Sequence, residues 1–240
     1  MNNHATLEKM SMMKLHGMKQ AFELSMEANQ SGKITPDELI AILIEAEYND
    51  RQNRRLERLL KAAKFRYRAT VEELNFSHKR NLSKNDILRL ATCDFVRKRE
   101  SIIITGPTGV GKSYLASALG HQACVSGYKV MYFNLQKLFT RLKMLKADAS
   151  DIREKSKIEK QDLLILDDFG LQVLDVENRL SLLEIVEDRH GKKSTIITSQ
   201  LPTVKWHEAV GDETIADAIL DRIVHTAHRI ELKGGSLRKK

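Results

Sequence analysis

The spacing of apolar residues changes character once along the chain. Leu15, Met18, Phe22 and Met26 return every three or four positions, the spacing of one helix face. Ser31-Gly32 ends that pattern. Thr35-Pro-Asp-Glu38 then combines an N-cap, a first-turn proline and a capping-box glutamate, which predicts a long helix running into the segment Arg51–Arg68. Within that segment Leu56, Leu59, Leu60 and Ala63 keep a helical apolar stripe. No strand-like alternation appears before about residue 70, so residues 1–68 are expected to form a small all-helical domain. The methionines of this region read as core filler.

From about residue 70 onward the pattern becomes short, near-continuous apolar runs separated by helical segments. Ser83-Lys-Asn-Asp86 is placed to cap a helix through about Arg97. Strands are expected at roughly Ile102–Thr105, Lys129–Phe133, Leu163–Asp167, Thr195–Ser199 and His228–Leu232. Runs of this kind alternating with helices imply a parallel sheet covered on both faces. The expected architecture is therefore α/β, with a five-stranded parallel sheet in residues 69–240 preceded by the helical domain.

The first of these strands leads into Gly106-Pro-Thr-Gly-Val-Gly-Lys-Ser113, and Tyr114–Gly120 reads as a helix after it. The loop fits the phosphate-binding pattern G-x-x-x-x-G-K-[ST] in its strand–loop–helix context. Gly106, Gly109 and Gly111 permit backbone geometry that lets successive N–H groups point into one concavity. The following helix adds the positive end of its dipole. Gly106, Pro107, Thr108, Gly109, Val110, Gly111, Lys112, Ser113 and Tyr114 form the expected triphosphate site. Lys112 would reach the terminal phosphates, and the Ser113 hydroxyl would ligate magnesium.

Asp162-Leu-Leu-Ile-Leu-Asp-Asp168 is an apolar strand ending in two acids, and ligands collect at the carboxyl ends of parallel strands. Asp167 is placed to hold magnesium, directly or through water. Asp168 can orient or deprotonate a water molecule. Phosphoryl transfer needs positioning and charge stabilisation, so the pair suggests hydrolysis of the terminal phosphate. Ser194-Thr-Ile-Ile-Thr-Ser-Gln200 ends in polar side chains; Gln200, with Thr198 or Ser199 as substitutes, could contact that phosphate or the attacking water. Arg222, in the amphipathic stretch Ala218–Ile223, could reach a neighbouring subunit's nucleotide; the other reading is a surface pair with Asp221.

Charge adds a second theme. The chain has 40 Lys and Arg against 32 Asp and Glu in 240 residues, a balance that favours a polyanionic partner. Arg51–Arg68 holds eight cationic side chains and one acid, Glu57. The apolar stripe leaves Arg51, Arg54, Arg55, Arg58, Lys61 and Lys64 largely for the solvent side. They are candidates for phosphate-backbone contact with nucleic acid, against the plainer reading of a solvated helix. Lys233 and Arg238-Lys239-Lys240 form a smaller basic cluster. No apolar run approaches membrane-spanning length, and Met1–Thr6 lacks a signal-peptide pattern. Cys93 and Cys124 show no metal-ligand spacing and read as buried core residues, so a reducing cytoplasm is expected.

Together these elements resemble the AAA+ ATPases in the clade of DNA replication initiators and helicase loaders, and more closely the IstB-like helper ATPases of bacterial insertion sequences. The likeness runs from Leu15-His-Gly-Met18 and Leu59–Phe65 through the GPTGVGKS loop, Leu163–Gly170, Ser194–Ser199, Trp206, Leu220-Asp-Arg222 and Lys233-Gly-Gly-Ser236. It implies an AAA+ core that uses ATP and Mg2+, with Lys112, Asp168, Gln200 and Arg222 as the catalytic set. It implies a homo-oligomer with ATP at subunit interfaces, binding double-stranded DNA and assisting a cognate transposase. This chain departs from the AAA+ pattern in three places. Gln200 replaces the common sensor asparagine. Asp168 replaces a longer glutamate, which implies slow turnover. Eight residues follow the last expected strand, so no helical lid is expected. The rival within the clade is a helicase loader. Outside it, a small-molecule kinase would leave the basic helix unexplained, and an architectural DNA-binding protein would leave the complete phosphate and acid positions unexplained.

Overall fold

A computed structural model of the chain describes residues 3–27, 34–76, 80–146, 150–225 and 227–237. Ser31-Gly32 and Arg238-Lys239-Lys240 lie outside the described residues. The chain forms two compact units, Met1–Arg58 and Leu59–Lys240.

The first unit holds α1 (Asn3–Met12), α2 (His16–Glu27) and the greater part of α3 (Pro36–Ala63). The expected capping box starts α3: the Thr35 amide donates to Glu38 Oε2 (2.8 Å), and the Glu38 amide donates to Thr35 Oγ1 (3.3 Å). Glu47, buried on α3, caps α2 in turn. Its Oε2 accepts from the amides of Gly17 (3.0 Å) and Met18 (3.2 Å), placing a carboxylate on the positive end of that helix. Gly17 permits the approach, since a Cβ there would lie 2.3 Å from the Ala46 carbonyl oxygen. Ile40, Ile44 and Tyr48, one helical turn apart on α3, remain exposed.

The second unit takes in the last turn of α3 and the segment 64–68, which the change of pattern near residue 70 had assigned to the helical domain. Packing accounts for its place here: Ala63 is fully buried, and Phe65 lies so close to Gly120 that a Cβ on that glycine would fall 2.6 Å from the ring. The elements that follow are α4 (Lys84–Ala91), α5 (Asp94–Lys98), β1 (Ser101–Thr105), α6 (Lys112–Val125), β2 (Val130–Asn134), α7 (Leu135–Lys146), α8 (Asp151–Glu159), β3 (Leu163–Phe169), α9 (Val176–Arg189), β4 (Ser194–Ser199), α10 (Trp206–Val210), α11 (Glu213–Val224) and β5 (Ala227–Glu231). Ser83 caps α4 as expected, its hydroxyl accepting from the Asp86 amide. The single helix expected through Arg97 is broken at Cys93, whose φ of 60° turns the chain before α5.

The five strands form one parallel sheet in the order β2-β3-β4-β1-β5. Strand alternation sends Ile103, Leu164, Leu166 and Ile197 to one face, where they join the core under α7, α9 and α11. Ile165, on the other face, meets α6 at Gly120. Both cysteines are buried, and burial holds both thiols above their usual range, Cys124 at about 12. Because β4 lies between β1 and β3, three strand ends converge where the glycine loop begins. Among the described residues no helix is long and apolar enough to cross a membrane.

Candidate nucleotide site

The Gly106–Ser113 loop leaves the carboxyl end of β1 and feeds α6. Its first glycine has a φ of 143°, and a Cβ there would sit 2.3 Å from the Leu232 carbonyl oxygen, so another residue meets both strain and a clash. Gly111, at φ 95°, gives the left-handed turn into α6 and passes close to the Arg80 guanidinium. Arg80 braces the loop from behind, donating to the carbonyl oxygens of Asn75 and Val110. The tail closes the other side: the Leu237 amide donates to the Gly109 carbonyl oxygen (3.0 Å). Lys112 is buried, and its Nζ lies on the carbonyl oxygens of Gly106 (2.7 Å) and Pro107 (2.8 Å).

Asp167 has no solvent exposure. Its Oδ1 accepts from Ser113 Oγ (2.8 Å) and from the Thr198 hydroxyl; its Oδ2 accepts from the Tyr132 hydroxyl and Arg66 Nη1 (3.1 Å). Burial, with the Asp167 charge beside it, pushes the Tyr132 hydroxyl far above its ordinary range, so it stays a donor. Two magnesium ligands at about 2.1 Å and right angles lie about 3 Å apart. The Ser113–Asp167 spacing would therefore suit neighbouring positions on one ion. Among the described residues no cluster of three or more His, Cys, Asp and Glu could hold a metal alone. A magnesium ion here would need phosphate oxygens or water to complete its shell.

Asp168 is treated differently by the backbone. The β3–β4 register shifts between Leu166 and Phe169, and Asp168 adopts a φ of 64°. Its amide donates to Thr198 Oγ1 (3.1 Å), and its Oδ2 accepts from Asn134 Nδ2 (3.0 Å) and Arg66 Nη1 (3.1 Å). Adjacent aspartates thus present one carboxylate buried in donors and one at the cleft.

Thr198 and Ser199, which end β4, and Gln200 just after it have separate contacts. Thr198 Oγ1 donates to the Asp167 carboxylate and accepts from the Asp168 amide. Ser199 Oγ donates to the Phe169 carbonyl oxygen (2.8 Å). Gln200 lines the cleft, and its Oε1 accepts from Thr108 Oγ1 (2.7 Å). That cleft, about 290 Å³, is also lined by Arg66, Tyr67, Lys112, Ser113, Tyr114, Asp168 and Leu237. This is at the small end of ligand sites, with Lys112 folded onto its own loop. Tyr114 leans on Tyr67 (ring centroids 6.0 Å apart) and donates to Glu73 Oε2 (2.8 Å). A larger groove of about 970 Å³ runs beside β5 but carries no phosphate-binding loop; its lining mixes Lys84, Arg89 and Lys98 with Asp86, Asp94 and Glu100.

Arg222 is not brought to this cleft. Its Nη1 donates to the Ala218 carbonyl oxygen (2.8 Å), and its Nη2 pairs with Glu187 (3.0 Å) rather than with Asp221, which pairs with His225. It borders a depression with Arg99 and Ser101 at the amino end of β1. The loop lies at the other end of that strand, about 16 Å away at 3.3 Å per residue.

Of the basic-helix candidates, Arg51, Arg55, Arg58, Lys61 and Lys64 are exposed. Arg54 is half-buried where the stripe placed it on the solvent side: it pairs with Asp50 (2.6 Å) and approaches Glu47 (3.7 Å), because these acids share its helix face. Arg51 also pairs with Glu47 (2.6 Å). Lys64 lies just beyond α3 at φ 56°.

The sequence reading missed Arg66, Tyr132, Asn134 and Arg80. Asn134 is in register with Asp167 across β2 and β3, a signal usable only once strand order is known. Arg66 was counted among the cations of the basic segment and gave no separate signal.

This sheet order, with a phosphate loop after β1 and paired acids ending β3, defines a P-loop ATPase of the AAA+ class. Comparison with known proteins narrows it: the chain belongs to the IstB-like ATP binding protein family, whose model matches residues 8–240. Two putative insertion sequence ATP-binding proteins of Sinorhizobium fredii resemble it closely. One, y4pL, is 43% identical over 98% of this chain and 96% of its own length. The other, y4uH, is 39% identical over 100% and 96%. Among solved structures, the DnaC helicase loader superposes with a TM-score of 0.56 at 24% identity, covering 70% of this chain and 98% of that one. The replication initiator DnaA bound to AMPPCP and single-stranded DNA gives 0.60 at 19% identity, covering 72% and 52%. These two likenesses are of fold.

Proposed function

We propose that the chain is the ATP-dependent DNA-binding ATPase of an insertion sequence, which assembles on target double-stranded DNA, remodels it and recruits or regulates the cognate transposase. The observation that carries this reading is one chain joining a phosphate-and-acid cleft to a helix bearing exposed cations, in a family whose relatives are named insertion sequence ATP-binding proteins.

On ATP binding, Lys112 leaves the Gly106 and Pro107 carbonyls for the terminal phosphates, and the loop amides take the remaining phosphate oxygens. Ser113 and Asp167 hold magnesium, which when bound neutralises phosphate charge and fixes its orientation. Tyr132 and Thr198 keep Asp167 aimed. Asp168 orients the attacking water from its bulged position, with Asn134 and Thr198 fixing its angle. Gln200 reaches the terminal phosphate from the end of β4. Arg222 acts in trans on a neighbour's nucleotide, where charge develops in the transition state. The ATP state thereby governs assembly on DNA through the cations of α3, which bind backbone phosphates with little base specificity.

The test is electron microscopy of the Asp168→Asn variant with DNA and ATP, joined to a pull-down offering transposase and replicative helicase in parallel. An ATP-dependent oligomer on DNA that retains transposase is expected. Capture of the helicase alone would make the chain a helicase loader. An Asp168→Asn variant hydrolysing ATP at the wild-type rate would remove that acid from its role.

A further inference from the structure

Arg66 belongs to no phosphate-binding motif, yet it sits on both acids of the site. Its Nη1 is 3.1 Å from Asp167 Oδ2 and 3.1 Å from Asp168 Oδ2. The Tyr67 ring lies beside the guanidinium, 5.5 Å from its carbon to the ring centroid. Two carboxylates converging at one strand end repel each other unless a cation compensates them.

We infer that Arg66 is the resting counter-ion of the metal site: it satisfies the acid pair in the nucleotide-free chain and withdraws as magnesium arrives with the triphosphate. The inference rests on the ATP reading of the same cleft and adds a regulatory contact to it. The position between Ser113 Oγ and Asp167 Oδ1 that suits the metal is on the other oxygen of the carboxylate Arg66 already holds. A divalent ion and a guanidinium on the two oxygens of one carboxylate repel strongly at protein dielectric. The incoming phosphates give Arg66 a second anion to follow. Until then Asp168 Oδ2 carries Arg66 in addition to Asn134. Arg66 follows the last residue of α3, Ala63, by three positions. Its withdrawal therefore releases a restraint on the chain directly beyond the basic helix. Arg66 acts as a positioning residue: it sets the magnesium concentration at which the site leaves its resting state.

The experiment titrates Mg2+ into the full chain with a fluorescent ATP analogue present, in wild type, Arg66→Lys and Arg66→Gln. A parallel arm measures Mn2+ binding by electron paramagnetic resonance without nucleotide, so the pairing is tested even if the analogue does not bind. With the counter-ion gone, Arg66→Gln should reach half-saturation at about tenfold lower metal in both arms, the worth of one charge-assisted hydrogen bond at a half-exposed site. Arg66→Lys, a cation without the planar fork, should fall between. An unchanged metal midpoint in Arg66→Gln overturns the inference, because the pairing would then oppose no metal. A higher midpoint overturns it in the other direction, making Arg66 a partner of the bound metal–nucleotide. Failure of wild type to bind the analogue, with the Mn2+ shift intact, would sink the ATP reading and leave the counter-ion standing.

Discussion

Replacing Thr198 by valine tests whether one hydroxyl organises both acids. The side chain is fully buried; its hydroxyl donates to Asp167 Oδ1 and accepts from the Asp168 amide at 3.1 Å. Valine keeps the shape and removes both bonds. The bond to the carboxylate is worth about 1.5–3 kcal/mol, and an amide left unsatisfied costs about 1–3 kcal/mol. Asp167 keeps Ser113, Tyr132 and Arg66, which places the sum near the lower end, about 2.5–4 kcal/mol. Thr198→Ser loses only a buried methyl, about 1 kcal/mol. The single tryptophan, Trp206, is fully buried with its ring centroid 4.4 Å from that of Phe169, the neighbour of Asp168, so its fluorescence reports this region. Urea unfolding of the nucleotide-free chain should place Thr198→Val about 1.5–3 kcal/mol below Thr198→Ser, or roughly 3–12 °C in melting temperature at this chain length. Hydrolysis should fall further in the valine variant, with ATP affinity changed less. Equal stability of the two variants, within about 0.5 kcal/mol, would refute the claim that the hydroxyl holds the acids.

Three further outcomes follow from the same geometry. Arg222→Ala and Lys112→Ala proteins, each inactive alone, should recover ATP hydrolysis when mixed, because the Arg222 protein retains a sound cleft and the Lys112 protein a sound arginine; no recovery at any ratio removes the trans assignment. Reversing Arg55, Arg58 and Lys61 to glutamate should weaken DNA binding and flatten its dependence on log salt by about 0.9 per lost phosphate contact; an unchanged slope refutes the basic-helix reading. Glu47 is pH-sensitive: burial alone would raise its carboxyl, but Arg51 and the Met18 and Gly17 amides bring it below its usual value. A depressed folded value means its stabilisation is present above the ordinary glutamate range and is lost as pH falls through the folded value. Protection of α2 amides from hydrogen exchange should therefore drop on acidification below about pH 4.5 and become less pH-dependent in Glu47→Gln; equal profiles would show that the carboxylate does not cap α2.

What was legible in the chain was local. The phosphate loop declares itself because glycine-only geometry, the lysine and the hydroxyl all fall within one turn. The capping box at Thr35–Glu38 and the strand ends at Asp167 and Gln200 are likewise written in neighbouring residues. Arg66 meets Asp167 across 101 positions of sequence, and Tyr132 meets it across 35; nothing local marks either. The turn at Cys93 was illegible for another reason, since no glycine or proline marks that left-handed residue. The Arg54 ion pair, by contrast, was marked locally: Asp50 lies one helical turn before it, the spacing at which opposite charges pair.

The same limit explains why two adjacent aspartates could be named as a pair but only partly told apart. Regular strand alternation would send Asp167 and Asp168 to opposite faces of β3 and put one of them out of reach of the loop. The structure avoids this by a register shift and a left-handed Asp168, a conformation costing on the order of 1 kcal/mol that persists only where its surroundings enforce it. Thr198 enforces it from β4, Asn134 from β2 and Arg66 from beyond α3. Three segments distant in sequence thus converge on one residue, two on its carboxylate and one on its amide. A residue restrained from so many sides senses displacement of any one of them, which, on the proposed function, suits a hydrolytic site that responds to assembly more than one that turns over freely. The short side chain of Asp168 fits that interpretation, since it relies on the bulge, and not on its own length, to reach the cleft.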